Sequence, residues 1–119
     1  MAVTITPLGL DTLRAVHDAD ADNTYENVGG TTLYTIDFDN TANAALSYLK
    51  FYNTGNPTVG TTAPAMIIHS AVSVRRLWHF IGGNSSFDLG LAFAGLTAGG
   101  TAGTTSPTSN VVVDLVVEG

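Results

Sequence analysis

Apolar and polar residues alternate along several short stretches of the chain, and this period of two predicts β-strands rather than helices. The clearest stretch is 86–94, where Phe87, Leu89, Leu91 and Phe93 share one face. Further strands are predicted at residues 2–6, 33–39, 47–53, 65–72, 73–81 and 111–118. Segment 10–22 has apolar residues at a helical spacing but is rich in Asp, so it is predicted to be extended or a single turn.

The alternation also predicts which side chains share a face of a strand. Leu33 is expected on the face opposite to Ile36 and Phe38 of the same strand, because side chains of a regular strand point alternately to its two sides. Gly82 and Gly83 are a turn signal and are expected to close the strand that precedes them.

Small residues lie between the large apolar residues of the clearest strand and directly after it. Gly90, Ala92, Ala94 and Gly95 are expected to leave one face nearly bare, so that another backbone or a neighbouring subunit could approach it closely. The terminal strand 111–118 is apolar almost without interruption, which predicts a strand that is paired in the sheet and covered on both faces.

Stretch 95–110 is rich in glycine and hydroxyl residues, and it is predicted to be a mobile, solvated loop that carries the chain across the fold. About eight short strands, long connections and no convincing helix predict an all-β fold. The expected architecture is a two-sheet β-sandwich with jelly-roll or Greek-key wiring. A chain of 119 residues is expected to form one domain over residues 1–119.

Charged residues are few, at 12% against 45% hydrophobic residues. A sparsely charged surface favours assembly, because large exposed apolar patches are a liability on a free monomer. Ten Asp and Glu residues face four Lys and Arg residues, and the formal net charge of −6 argues against nucleic acid as a partner. Cysteine is absent, which excludes disulfides and thiolate metal sites.

The first residues, MAVTITPLGL, lack the basic start and apolar core of a signal peptide, and no apolar run of the chain approaches the length of a membrane span. We therefore expect no membrane partner and a chain that is made and folded in the cytoplasm.

Candidate sites for metal binding or catalysis are sparse. Asp18, Asp20 and Asp22 lie at alternate positions, as in the first half of a calcium-binding loop, but the glycine and glutamate that such a loop needs are missing. A solvated acidic turn is the favoured interpretation. Asp37 and Asp39 are neighbours on one strand face and form the only candidate carboxylate pair for hydrolysis, with a solvent-facing strand as the favoured alternative. We expect no enzymatic activity, no metal site and no cofactor.

Arg75, Arg76 and Trp78 form the chain's cationic and aromatic cluster. Arg and Trp are enriched among residues that anchor protein interfaces, so the cluster is a candidate subunit interface, with the edge of the core as an equal alternative. Tyr48 and Tyr52, if exposed together with Trp78, would offer rings on which sugars stack.

The series LYTIDFDNTANAALSYLKFYN, GTTAPAMIIHSAVSVRRLWHFIGG and LAFAGLTAGGTAGTTSPTSNVVVDLVVE resembles a group of small structural proteins from tailed-phage virions. The shared features are a strand that ends in Asp or Asn and small residues, a YxKFYN strand, an Ala-Pro turn, a Gly-Gly turn, and a Gly/Thr/Ser loop before a valine-rich last strand. In this chain they lie at residues 39–43, 48–53, 63–64, 82–83 and 99–109, with the last strand after them.

The resemblance implies a non-enzymatic, jelly-roll decoration or cement protein that binds the outer surface of an assembled capsid, often as a homotrimer. Its partners would be copies of itself and the major capsid protein. Residues 1–28 are expected to form an extended N-terminal arm across the shell. The expected capsid contacts are Val3, Ile5, Leu8, Leu10 and Leu13, and the expected subunit contacts are Arg75, Arg76 and Trp78. The alternative is a carbohydrate-binding module on a phage tail or surface fibre.

Overall fold

The computed structural model describes residues 17–22 and 27–118. Its strands are β1 (His17–Ala19), β2 (Asn27–Val28), β3 (Thr31–Asp39), β4 (Ser47–Tyr52), β5 (Met66–Ser70), β6 (Arg75–Phe87), β7 (Gly90–Leu96) and β8 (Val111–Glu118). The described residues contain no helix, and the predicted all-β fold is confirmed. Within the same residues, no helix is long and apolar enough to cross a membrane. The strand expected at residues 2–6 lies outside the described part.

The strands form two antiparallel sheets, with the orders β1-β8-β3-β6 and β2-β7-β4-β5. Each sheet has three strands of five residues or more, because β1 and β2 are only three and two residues long. These two short strands belong to the expected 1–28 arm, and they pair with β8 and β7. At the other end of each order lie β5 and β6, which have one strand partner each within the described residues.

The two sheets pack against each other through a shared apolar core. The ring of Phe51 on β4 lies 6.2 Å from that of Phe87 on β6 and 5.9 Å from that of Phe93 on β7. The fully or almost fully buried members of this core are Ala19, Leu33, Ile36, Phe38, Leu49, Phe51, Phe87, Leu91, Phe93, Val111, Val113, Leu115 and Val117. Burial of this apolar surface is the main force that holds the sheets together.

A β-bulge in β3 corrects the predicted face of Leu33. The pairing of β3 with both of its neighbours shifts register between Leu33 and Thr35, so one extra residue is inserted there and the alternation is reset. Leu33, Ile36 and Phe38 are therefore all buried in the same core. The prediction that Leu33 lies opposite to the other two was wrong because a strict period of two does not survive a bulge.

The glycine pair does not end its strand. β6 continues through Gly82 and Gly83, which have φ angles of 79° and 85°, a backbone region that favours glycine. Opposite them, Leu33 pairs with Asn84 and Thr35 with His79, so β6 bulges outward there. The predicted turn was therefore wrong: the glycines absorb a bulge, and the strand ends at Phe87.

The clearest predicted strand, 86–94, is in fact divided between two sheets. Phe87 ends β6 and Gly90 begins β7, with Asp88 and Leu89 at the turn between them. Leu89 is consequently 68% exposed and not part of the core. Periodicity alone did not predict the turn, because large apolar residues continue at alternate positions through it.

The small-residue surface of β7 is covered by the chain itself. Ala92 and Ala94 are fully buried in a second cluster that includes Tyr52 and is flanked by Val59. Gly95 points instead toward the other sheet, where a Cβ atom would lie 2.8 Å from the carbonyl oxygen of Ala19. The small residues thus admit a close approach, as predicted, and at Gly95 it is another backbone segment of the same chain that approaches.

The terminal strand β8 is central in its sheet, paired with both β1 and β3. Its paired position is as predicted, but its two faces differ. The inward residues Val111, Val113, Leu115 and Val117 are buried, whereas the intervening Val112, Asp114, Val116 and Glu118 are only half-buried. The expectation of two covered faces was wrong, since only the face toward the other sheet is packed.

The 97–110 connection is held in place by specific contacts rather than solvated throughout. The backbone N–H of Thr97 donates to the carbonyl of Thr105 at 3.0 Å, and Pro107 is buried. Gly99 lies so close to the ring of Tyr48 that a Cβ atom would sit 2.7 Å from it. The loop therefore covers the outer side of β4.

Candidate functional site

A groove lies between the edge strands β5 and β6 on the described surface. It encloses about 260 Å³ and is lined by Ile67, Ile68, His69, Arg76 and Trp78. The groove combines aliphatic side chains, an aromatic ring, an imidazole and a guanidinium. Such a mixture of an apolar wall with a few polar groups is typical of a binding surface.

Trp78 and Arg76 define one wall of the groove. Trp78 is half-buried, and its ring centroid lies 6.3 Å from that of the core residue Phe38. The guanidinium carbon of Arg76 lies 4.8 Å from the Trp78 ring centroid, within the range of a cation–π interaction. One Nη of Arg76 also donates to the carbonyl of His69 at 3.4 Å. Trp78 therefore packs against the core through Phe38, and the guanidinium of Arg76 lies over its ring.

Arg75 is separated from this wall although it is adjacent in sequence. Successive side chains of β6 point to opposite faces, and Arg75 grips both carboxylate oxygens of Asp37 on β3, with Nε to Oδ1 at 2.8 Å. The Asp37 carboxylate raises the pKa of Arg75 further above its ordinary value. The structure therefore brings Arg76 and Trp78 together but places Arg75 on the outer face of its sheet.

Arg76 is exposed, and no acidic side chain of the described residues pairs with it. Among the described residues, the ion pair found is that of Arg75 with Asp37, and no carboxylate lies within ion-pair distance of Arg76. In a chain with ten acidic residues, an exposed arginine without a carboxylate is available to an anion from another molecule.

Further exposed aliphatic residues lie on β6 and on the connection from β5. Leu77 is 68% and Ile81 94% exposed, and Val72 and Val74 are exposed as well. Neither proline nor lysine interrupts the edge strand β6, although these are common ways to protect an edge. β6 therefore presents exposed aliphatic side chains along a sheet edge that has no strand partner among the described residues.

The Asp37 and Asp39 carboxylates each bind a different neighbouring side chain. Asp37 is held by Arg75, and Asp39 accepts from the hydroxyl of Thr41 at 2.5 Å and from its backbone N–H at 2.9 Å. The Thr41 hydroxyl is the main reason why the pKa of Asp39 is lowered. A general acid needs the opposite shift, so the surroundings of Asp39 do not favour such a role.

The acidic segment around β1 shows no cluster of metal ligands. In the part of the chain that the structure describes, no group of three or more His, Asp or Glu side chains lies close enough to hold a metal ion. The Asp22 N–H donates to Asp20 Oδ1 at 2.8 Å, a local turn contact. The calcium hypothesis for Asp18, Asp20 and Asp22 gains no support from these contacts.

The three rings proposed for sugar stacking do not share an exposed surface. Tyr52 is fully buried. Tyr48 is half-buried and packs against His69 with a centroid distance of 5.9 Å. Arg76 already lies over the Trp78 ring, so the structure does not assemble an aromatic platform from these residues. The expected capsid contacts Val3, Ile5, Leu8, Leu10 and Leu13 lie outside the described residues.

Lys50 contacts the 97–110 connection from β4, and sequence analysis did not predict this role. The alternation of β4 placed it on a solvent-facing side, yet it is fully buried. Its Nζ donates to the carbonyl oxygens of Gly100 and Gly103. Nothing in the local sequence marks Lys50, because its burial depends on a loop that comes some fifty residues later.

Burial lowers the pKa of Lys50 from its ordinary 10.5. Between the lowered value and 10.5 the unfolded chain binds more protons, so the free energy of unfolding should rise with pH in this window. We expect wild type to gain stability relative to Lys50→Met as pH rises toward 10.5, by no more than about 1.4 kcal/mol per pH unit. Urea unfolding of both proteins across this range tests the prediction; a constant or falling difference would contradict it.

No protein-family model, curated protein or solved structure matches the chain.

Proposed function

We propose that the chain is a non-enzymatic structural protein of a phage virion, a capsid decoration or cement protein that stabilises the shell by bridging capsid subunits. The resemblance of its strand and turn motifs to small tailed-phage virion proteins suggests the virion. The structural observation that carries the proposal is the groove between the edge strands β5 and β6, where apolar side chains and Arg76 are exposed together. Such a surface is expected where copies or partners meet.

We infer that the wiring is that of a jelly-roll sandwich. A jelly roll has eight strands in two sheets linked by Greek-key connections. The orders β1-β8-β3-β6 and β2-β7-β4-β5 support this wiring, because each sheet alternates between early and late strands of the chain. The shortness of β1 and β2 leaves six strands to carry most of the pairing.

The proposed assembly is a homotrimer on the outer capsid surface, bound to the major capsid protein after synthesis in the host cytoplasm. Many weak contacts, multiplied by symmetry, would then give a stable attachment. The arm across the shell is proposed within residues 1–28, ahead of the paired strands β1 and β2, with Val3, Ile5, Leu8, Leu10 and Leu13 as its contacts. The proposal includes no nucleic acid, membrane or cofactor.

Native mass by light scattering, followed by cosedimentation with undecorated capsids of the same virus, tests this function. We expect a trimer that sediments with capsids and raises their resistance to heat. A monomer at every concentration, or a trimer that stays in the supernatant, would overturn the proposal. Retention on a glycan array would instead favour the carbohydrate-binding alternative, which the burial of Tyr52 makes the weaker one.

Replacing Trp78 by alanine should lower the stability of the trimer. The half-buried ring supports the groove wall, and truncation of an aromatic interface anchor typically costs about 2 kcal/mol or more, or more than tenfold in the dissociation constant. Light scattering over a dilution series measures this change. Tyr34→Ala, at another half-buried aromatic residue, is the control, and a Trp78→Ala protein that remains as trimeric as wild type would remove the assignment.

A further inference from the structure

The turn between β6 and β7 presents an exposed leucine on a rigid support. Leu89 is 68% exposed, and its backbone N–H donates to Asn53 Oδ1 at 2.9 Å. The amide of Asn53 donates in turn to Asp88 Oδ1 at 2.7 Å. The side chain of one asparagine thus bridges both residues of the turn, and the leucine is held in a defined position beside an exposed carboxylate.

This turn and the β5–β6 groove are chemically complementary. The turn is convex and pairs an aliphatic side chain with the acid Asp88. The groove is concave and pairs the aliphatic Ile67 and Ile68 with the base Arg76. Arg76 has no carboxylate within ion-pair distance among the described residues, so an incoming aspartate would give it an anionic partner that these residues do not supply.

We propose that the turn at Asp88 and Leu89 of one copy docks into the β5–β6 groove of the next copy. Leu89 fills the apolar part of the groove, and Asp88 pairs with Arg76. This inference rests on the proposed homotrimer and adds the residues that join its subunits. It assigns a function to Asp88 and Leu89, which sequence analysis placed within a strand.

The geometry of the contact agrees with a closed ring. The two surfaces are different patches of one chain, so the contact is heterologous, and heterologous contacts close into rings when the rotation between copies permits. A two-fold dimer would instead require the turn of each copy to reach the groove of the other at the same time.

The size of the groove favours a side chain over a small molecule as its occupant. Its volume of about 260 Å³ is below the ~300–1,000 Å³ that is usual for small-molecule sites. A sugar would also need a free aromatic face, whereas Arg76 already lies 4.8 Å from the Trp78 ring centroid. A leucine needs only an apolar wall, and its rigid support reduces the entropy lost on docking.

Light scattering of full-length variants over a dilution series tests the contact. We expect Leu89→Ala, Asp88→Asn and Arg76→Glu each to raise the trimer dissociation constant at least about tenfold, as for central interface residues. Exchange of the charges in one chain, Arg76→Glu with Asp88→Arg, should bring it back to within about threefold of wild type. Asp88→Asn removes the charge while keeping an oxygen for Asn53.

Leu77→Ala is the matched control, because Leu77 is as exposed as Leu89 at 68% but does not line the groove. It should leave the dissociation constant unchanged, and circular dichroism should show every variant folded. The contact is overturned if none of the three single substitutions changes the trimer dissociation constant, or if the charge exchange gives a dissociation constant no lower than that of Arg76→Glu alone. Either result leaves the proposed function standing. A wild-type chain that is monomeric at every concentration overturns both.

Discussion

Replacing Phe51 by alanine is expected to lower the free energy of unfolding by about 3–5 kcal/mol, the usual cost of removing a buried phenylalanine. Phe51 is fully buried, and its ring lies between those of Phe87 and Phe93 at 6.2 and 5.9 Å. Phe87 ends β6 in one sheet, and Phe93 lies in the middle of β7 in the other sheet. The cavity would therefore open at the contact that joins the sheets, where neighbouring strands are least free to collapse into it.

Urea unfolding at one fixed protein concentration measures this loss, since assembly would otherwise change the apparent stability. Leu77→Ala is the control: Leu77 is exposed, and its truncation should change stability by no more than about 0.5 kcal/mol. If Phe51→Ala cost less than twice as much as Leu77→Ala, the ring would not be part of the contact between the sheets.

Asn40→Ala is expected to cost about 2–4 kcal/mol, because it would leave several buried carbonyl groups without a donor. The Asn40 side chain is fully buried just after β3. Its Nδ2 lies 3.0 Å from the carbonyl of Ala45, 3.3 Å from that of Ser70 and 3.0 Å from that of Ala71. One amide with two hydrogens thus joins the β3–β4 connection to the end of β5.

A second buried amide extends this network to the long connection before β8. Asn43 Nδ2 donates to Asn40 Oδ1 at 2.9 Å and to the carbonyl of Ser109 at 2.7 Å. Its Oδ1 accepts from the Ser109 N–H at 2.8 Å. Three separate loops are therefore tied at one end of the domain by two asparagines.

A double-mutant cycle measures the coupling within this network. Because Asn40 and Asn43 share a hydrogen bond, the loss in Asn40→Ala/Asn43→Ala should be smaller than the sum of the single losses. The exposed Asn56 provides the control, and Asn56→Ala should stay within about 0.5 kcal/mol of wild type. Equal losses for Asn40→Ala and Asn56→Ala would show that the buried amide is not needed.

The candidate site was partly accessible from sequence. Composition singled out Arg76 and Trp78 as a cationic and aromatic pair, and the structure brings them within 4.8 Å on one wall of the groove. The same pattern grouped Arg75 with them, but alternation along β6 turns Arg75 toward Asp37. Whether these residues form an interface stays a prediction.

The rest of the groove was beyond sequence analysis because it depends on strands from two sheets. Ile67 and Ile68 lie on β5, and Arg76 and Trp78 lie on β6, which pairs in the other sheet. No local pattern says that these two edges lie on the same side of the domain. The exposed Leu89 was missed for a similar reason, since only the passage of the chain between sheets removes it from the core.

The sequence by itself determined the all-β class and the positions of β3, β4, β5 and β8, because alternation and β-branched content are local properties. Only the tertiary structure decided where that alternation fails. The bulge after Leu33, the outward loop at Gly82 and Gly83, and the burial of Lys50 each depend on a strand or loop that is distant in sequence. Local patterning sets which residues prefer a strand, whereas pairing register and packing between sheets set which of them reach the core and which remain on the surface.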